Sequence, residues 1–343
     1  MRKELTLEAV RADPYGFTYK EYAEVMGEAE ASRAFASLYR RKVAPASQTL
    51  TVKTVYRGGD TDKYVFELPD GKCIETVCIK RRDGATVCVS TQVGCPVHCM
   101  FCESGKNGFV RNLTPSEIVQ QVVLLGRKIT RIVYMGMGEP LFNYDNVIQS
   151  IHILRDRNGL NFPTDGITLS TTGPLDRLKR LREEHLKIQF TLSLHATTQA
   201  VRDRLIPGVK NYPIDSVVEA ALSSSASHNR RIVIAYLLLP GINDSPSDVR
   251  NLAKWFQGKN VMINLLEYNK TTTSSIRKPT RQEMSAFKKR LEAAGLAVTM
   301  RVSHGGNIRA ACGQLANHYN NKKLQEENHE NYYNQSRVRQ RRT

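Results

Sequence analysis

Three cysteines crowd into eight residues of STQVGCPVHCMFCESG, residues 90–105: Cys95, Cys99 and Cys102, spaced C-x3-C-x2-C. Thiolates this close suit a soft-metal site, either zinc or an iron–sulfur cluster. A structural zinc site needs a fourth ligand. His98 could serve, but its place directly beside Cys99 gives it poor geometry for closing a tetrahedron on the same short loop. A 4Fe–4S cluster held through three irons leaves one iron open, which makes sense if a substrate or cofactor takes that corner. The remaining cysteines are Cys73, Cys78, Cys88 and Cys312. An odd total in a reducing compartment argues against a disulfide scaffold.

Fifty Lys and Arg against 33 Asp and Glu give a net charge of +17. That surplus favours a polyanionic partner, most simply nucleic acid, through release of condensed counterions. No apolar run reaches the ~18 residues of a membrane span. The start, MRKELTLEAV, lacks the apolar core of a signal peptide, so the expectation is a cytoplasmic protein with no membrane partner.

The elements that must position these groups change character along the chain. Residues 1–48 have the apolar spacing of short helices. Over 49–91, TLTVKTVY, KYVFELP, IETVCIK and ATVCVS alternate apolar with polar residues, and RGGD, PDGK and RRDG separate them, which predicts an antiparallel meander. TPSEIVQQVVLLG then opens a helix with Thr114 as N-cap, Pro115 at the first helical position and Glu117 closing a capping box. Six apolar strands alternate with helices from there: TRIVYM, GITLST, KIQFTLSL, RIVIAYLLLP, VMINLLEY and AVTMRV. This α/β alternation predicts a parallel sheet, either doubly wound or an incomplete barrel. The tail from 318 to 343 is polar, ends in a basic cluster and is expected to be disordered.

Parallel β/α sheets carry their functional groups at the carboxyl ends of the strands. Gly138 and Glu139 follow TRIVYM, Ser170 ends GITLS, Ser193 and His195 end KIQFTLSLH, Asn269 follows VMINLLEY, and Cys312 lies beyond AVTMRV. The cysteine run precedes the first helix of the alternating set and falls at the same rim. Singly, each residue has an ordinary reading: serines that end strands, Glu139 as a cap, Cys88 as a buried strand residue, Cys73 and Cys78 as apolar fillers, His98 as a passive loop residue.

The motifs IETVCIKRRDGATVCVSTQVGCPVHCMFC, VRNLTPSEIVQQV, YMGMGEPLFNYDNV, LSTTG, TLSLHA, YLLLPGINDS, INLLEYN and AACGQLA follow one another between residues 74 and 317. Together they resemble the radical S-adenosylmethionine (SAM) superfamily and, within it, the RlmN/Cfr family of RNA adenine methyltransferases. GMGEP alone would be a weak signal; eight motifs in order, with the remote cysteine, are specific. The resemblance implies a partial (β/α)6 barrel over 92–317, preceded by a helical accessory region (1–48) and a β extension (49–91). Cys95, Cys99 and Cys102 would hold one 4Fe–4S cluster whose open iron binds SAM. Gly138, Glu139, Ser170, the Ser193–Leu194–His195 segment and Asn269 would contact SAM. Cys312 matches the cysteine that first takes a methyl group from one SAM. A second SAM then supplies a 5′-deoxyadenosyl radical that removes hydrogen from this S-methyl, and the carbon radical adds to adenine. Cys88 would help deprotonate the adduct and form a transient disulfide with Cys312. Glu75 matches a residue assigned as a proton acceptor. The detour has a physical reason: the amidine carbons of adenine are electron-poor and do not take a methyl group by polar attack, whereas a carbon radical lowers that barrier.

The implied function is methylation of adenine carbon 2 in 23S rRNA, with tRNA as a further substrate, by a monomer served by an electron donor such as flavodoxin or ferredoxin. Carbon 8 methylation of 23S rRNA is the rival within the same chemistry. A zinc-stabilised RNA-binding protein without catalysis is the rival outside it, and it leaves Cys88, Cys312 and the GEP segment without roles. A radical SAM enzyme acting on a peptide or small molecule is disfavoured by the Cys88/Cys312 pair. The sequence departs from the family pattern at Glu103 and Ser104, at Asn307 and Arg309, in YNK, and in the region before Glu75, which does not visibly match the helical accessory domain.

Overall fold

The computed structural model describes residues 4–41, 47–227, 230–271, 276–301 and 303–316. The expectation for 318–343 lies outside the described residues. The meander forms as expected: β1 (Thr51–Gly58), β2 (Thr61–Glu67), β3 (Cys73–Arg81) and β4 (Gly84–Cys88) pair antiparallel in sequence order. A short hairpin of β5 (Gln92–Gly94) and β6 (Phe109–Asn112) follows, and the cysteine run lies in the loop between them.

Six strands then match the six apolar segments of the sequence: β7 (Ile129–Tyr134), β8 (Ile167–Thr171), β9 (Gln189–Ser193), β10 (Ile232–Leu238), β11 (Val261–Glu267) and β12 (Val298–Arg301). All six run parallel, and their order in space is their order in sequence. A doubly wound sheet would reverse direction at a switch point. Winding in one sense throughout is the barrel-type solution. The barrel is open, because β1 and β12 are the two ends of the strand order. The meander is no separate sheet: β4 pairs in parallel with β7, Cys88 opposite Val133. One ten-stranded sheet therefore runs through the boundary expected near residue 91.

Helices α4 (Pro115–Val123), α5 (Tyr144–Arg155), α6 (Leu175–Glu183), α7 (Gln199–Leu205), α8 (Ile214–Ser227), α9 (Pro246–Phe256) and α10 (Arg281–Ala293) fill the crossovers. The capping box read at Thr114 and Glu117 is formed. Upstream, α1 (Leu7–Ala12), α2 (Tyr19–Met26) and α3 (Glu28–Phe35) carry a buried aromatic set, with Phe35 edge-on to Tyr22 at 5.0 Å between centroids. Phe35 and Tyr39 also close on Gly159, just past α5, and Gln149 of α5 donates to Glu21. The helical region thus docks on the outside of the barrel.

Past β12 the chain turns back across the open side. Ile308 packs on Gly58 of β1, and His304 lies 2.8 Å from the Asp60 carboxylate. The gap in the barrel is therefore covered by the loop that carries Cys312.

The segment between Cys88 and the cysteine run is held by buried polar side chains. Gln121 of α4 accepts from Thr76 Oγ1 (2.7 Å) and from the Ser90 N–H (2.8 Å), and donates to the Ser90 carbonyl (2.9 Å). Ser90 Oγ donates to the Glu75 carbonyl and accepts from the Met137 N–H. Gln121→Leu would orphan three of these groups in a dry interior, and urea unfolding should show a loss of about 2–4 kcal/mol. An unchanged midpoint would mean that water reaches this layer and the network does not anchor the segment.

Candidate active site

The loop between β5 and β6 is tied down by its own backbone. The Cys95 N–H donates to the Gly108 carbonyl (3.1 Å) and the Cys102 N–H to the Cys99 carbonyl (3.1 Å). His98 sits at φ +54°, and its Nδ1 lies 2.8 Å from the Gly105 carbonyl, to which it donates. His98 is therefore a staple across the loop rather than a passive residue. The end of α7 supports the same loop: the Met100 N–H donates to the Leu205 carbonyl (3.0 Å), and the Gly208 N–H to that of Val97 (2.8 Å).

Burial raises the pKa of all three thiols, that of Cys95 to about 12. Charge on Cys102 and Cys95 pushes Cys99 further in the same direction. Three sulfurs that oppose one another's ionisation become thiolates together only when a metal supplies positive charge. This donor set, all sulfur with His98 engaged by the Gly105 carbonyl, fits a soft-metal cluster.

Cys88, Cys102 and Cys312 line a single open cleft, with Asn269 and Arg301 on its wall. They come from β4, from the cysteine run and from the loop after β12. Burial pushes the Cys88 thiol up to about 12, the nearby Cys312 adds to this, and Arg301 opposes it. Cys88 consequently holds its proton at neutral pH.

The Cys312 loop docks directly on the cysteine run. The Glu103 N–H donates to the Gly313 carbonyl (2.8 Å), and Ser104 Oγ to that of Leu315 (2.7 Å). Gly313, at φ +81°, has no room for a Cβ, which would meet the Phe101 carbonyl oxygen at 2.8 Å. Of the departures at Glu103 and Ser104, only the serine hydroxyl gives a bond that seats this loop; the Glu103 bond is a main-chain one. One buried ion pair holds both ends: Lys63 Nζ lies 2.9 Å from Glu75 and donates to the Arg309 carbonyl, while Glu75 Oε2 accepts the Ala316 N–H at 2.8 Å. Glu75, expected as a proton acceptor, has both oxygens engaged. Desolvation raises its pKa against the pull of Lys63.

The other expected residues cluster at adjacent strand ends. Ser170 and Ser193 stand 3.2 Å apart through their hydroxyls. Asn269 donates to the Cys312 carbonyl (3.3 Å) and accepts from Ser303 (2.8 Å). His195 Nδ1 accepts the Leu237 N–H (3.0 Å), which leaves the proton on Nε2. Leu194 is in the core. Gly138 needs its φ of +102°, since a Cβ would strike Gln92. The Glu139 carboxylate receives four hydrogen bonds, from Leu141 N–H, Thr171 Oγ1, Thr172 N–H and Thr172 Oγ1. Its side chain is therefore spent on the protein, and so is its main chain: the Glu139 N–H donates to Gln92 Oε1 (2.8 Å) and its carbonyl accepts the Phe142 N–H (3.1 Å). Sequence reasoning missed Lys63, Thr171, Thr172 and Arg202. The two threonines stand beside Ser170 in LSTTG and could have been read with it; a lysine in a half-buried strand and an arginine in a short helix carried no signal.

A family model described as the radical SAM superfamily matches residues 89–256. A Rhodopseudomonas palustris protein named "Probable RNA methyltransferase" is 50% identical over 268 residues, 78% of this chain and 75% of its own length. A Pseudothermotoga lettingae protein named "Probable dual-specificity RNA methyltransferase RlmN" is 40% identical over 319 residues, 91% of this chain and 93% of its own. That span cannot be reached without residues upstream of Glu75, so similarity extends into the region whose motifs did not visibly match. The crystal structure of a radical SAM methyltransferase from Sphaerobacter thermophilus superposes with a TM-score of 0.83 at 34% identity, covering 88% of this chain and 98% of that one.

Two measurements test the site's architecture. Lys63→Met strands a buried carboxylate and should cost about 3–5 kcal/mol in urea unfolding, most of it recovered in the Lys63→Met/Glu75→Met double variant; additive losses would break the latch argument. Burial, helped by Arg202, lowers the His195 pKa to about 3, against about 6.5 when exposed. Its stabilising contribution is complete above pH 6.5 and is lost as pH falls toward 3, by up to about 1.4 kcal/mol per unit. His195→Gln should flatten the stability curve between pH 6.5 and 5, and parallel curves for variant and wild type would contradict a neutral buried ring.

Proposed function

Because this chain belongs to the RlmN/Cfr family of radical SAM RNA methyltransferases, we propose that it methylates carbon 2 of an adenine in 23S rRNA, with tRNA as a further substrate. Membership of that family implies a 4Fe–4S cluster and SAM. The observation that carries the finer reading is the one cleft shared by Cys88, Cys102 and Cys312. It brings a cluster ligand within one cavity of two thiols more than two hundred residues apart in sequence.

Cys95, Cys99 and Cys102 would hold the cluster in this reading, while the Gly138–Glu139 segment, the hydroxyls of Ser170 and Ser193, the Ser193–Leu194–His195 segment and Asn269 would hold SAM. When bound, the cluster supplies the electron that cleaves SAM to a 5′-deoxyadenosyl radical. Cys312 takes a methyl group on its sulfur from a first SAM, so two are consumed per turnover. Its place on the cleft wall beside Cys102 keeps that methyl group near the site where hydrogen is removed. The adduct radical then loses one electron, which the cluster would take back, and one proton, which Cys88 accepts as thiolate. The Cys88 sulfur next bonds to that of Cys312 as the carbon–sulfur bond breaks, and the departing carbon takes up that proton to become the methyl group. At rest Cys88 is protonated, so it must first give that proton up; Arg301 beside it and a bound sulfonium favour the thiolate. Glu75 acts with Lys63 as the latch of the loop. The net charge of +17 supports docking of a phosphate backbone at the cleft mouth, where Arg301 and His304 stand. The reading also includes a monomer, a small electron-transfer protein as donor and a cytoplasmic setting. Among the described residues no helix is long and apolar enough to cross a membrane.

Nucleoside mass spectrometry of rRNA and tRNA from cells with and without the gene tests this directly. 2-Methyladenosine in 23S rRNA should vanish on deletion, fail to return with Cys312→Ala, and give way to RNA covalently held by the protein with Cys88→Ala. Loss of 8-methyladenosine instead would overturn the carbon assignment. No change in either base would overturn the substrate.

A further inference from the structure

Arg202 of α7 is wholly buried and heads the fully buried side chains by volume among the described residues. Its Nη2 donates to the Thr172 carbonyl, but Nε and Nη1 find no partner. A guanidinium out of water with two donors empty is strongly destabilising until an anionic acceptor meets it. Burial draws its pKa down to about 10, so it stays cationic at neutral pH. The charges that hold it up are Cys99 first, then Asp203 and Glu139. Glu139 is already saturated by four donors, and Asp203 accepts from Gln199 at 2.6 Å. Neither carboxylate reaches Nε or Nη1, and Cys99 is the charge that bears on the guanidinium most. The same helix carries the carbonyl of Leu205, which holds Met100 beside Cys99.

We propose that Arg202 is a positioning residue for the cluster, its two free N–H groups donating to sulfur on the Cys99 side once the cluster is assembled. The inference rests on the reading of Cys95, Cys99 and Cys102 as cluster ligands. A fixed cation donating to sulfur favours the reduced cluster, which carries one more negative charge, and so raises the reduction potential. Without the cluster the same cation is an uncompensated burden on the fold.

Wild type, Arg202→Met and Arg202→Lys, reconstituted anaerobically, would be compared by iron per chain, by EPR-monitored redox titration without SAM, by the rate of iron loss to a chelator, and by Tm of the apo forms. Arg202→Met should leave the apo Tm equal or higher, shift the potential to more negative values and speed iron loss about tenfold. Arg202→Lys, which keeps the charge without the fork, should lie between. A structural arginine would give the opposite pattern: lower apo Tm, unchanged potential and unchanged iron loss, and that result overturns the inference. Should Arg202→Met not fold, an unaltered potential and iron-loss rate in Arg202→Lys overturns it equally. A change confined to SAM affinity overturns it too, by assigning the N–H groups to the cofactor's carboxylate. Wild type that assembles no cluster sinks the ligand reading itself, a distinct result.

Discussion

The site depends on closing a barrel that its own strands leave open. Sheets wound in one sense must either complete a ring or cover the edge they expose. Here the chain past β12 does the covering, and one buried ion pair decides where it lies. Lys63 grips the loop at Arg309 and Glu75 grips it at Ala316. Between those grips the loop meets the cysteine run through Glu103 and Ser104. Removing half of such a pair is far worse than removing both, so Lys63 and Glu75 constrain the loop only as a unit.

Low dielectric runs through the rest of the design. Burial raises the pKa of Cys88, Cys95, Cys99 and Cys102, lowers that of His195, and leaves the Arg202 cation short of acceptors. In each case burial disfavours the charged form. Where a charge persists, compensation comes from neighbouring charges or from strongly directed hydrogen bonds. Glu139 shows the last route: it is buried deeply enough to raise its pKa, yet four donors surround its oxygens.

The sequence made the strand and helix alternation readable because apolar periodicity is local: all six parallel strands and the meander stand where the pattern put them. Winding sense was not readable, since strand order depends on which edges pair and not on any residue's propensity. The continuity of β4 with β7 was hidden for the same reason. Among site residues, those with unusual chemistry at strand ends were legible, and Ser170 beside Ser193 is an instance. Their supports were not. Lys63 looks like one more polar residue in an alternating strand, and Arg202 like one more basic residue on a short helix. Glu75 was legible from its motif; its ion pair with Lys63 was not, because a carboxylate's partners depend on what faces it.

Cys312 belongs to the final described stretch of the chain, while Cys88 and the cysteine run lie in its first third. A nascent polypeptide leaves the ribosome amino end first, so the meander, the hairpin loop and most of the sheet emerge before this sulfur does. Cys88 therefore cannot meet Cys312 until the whole sheet has been made.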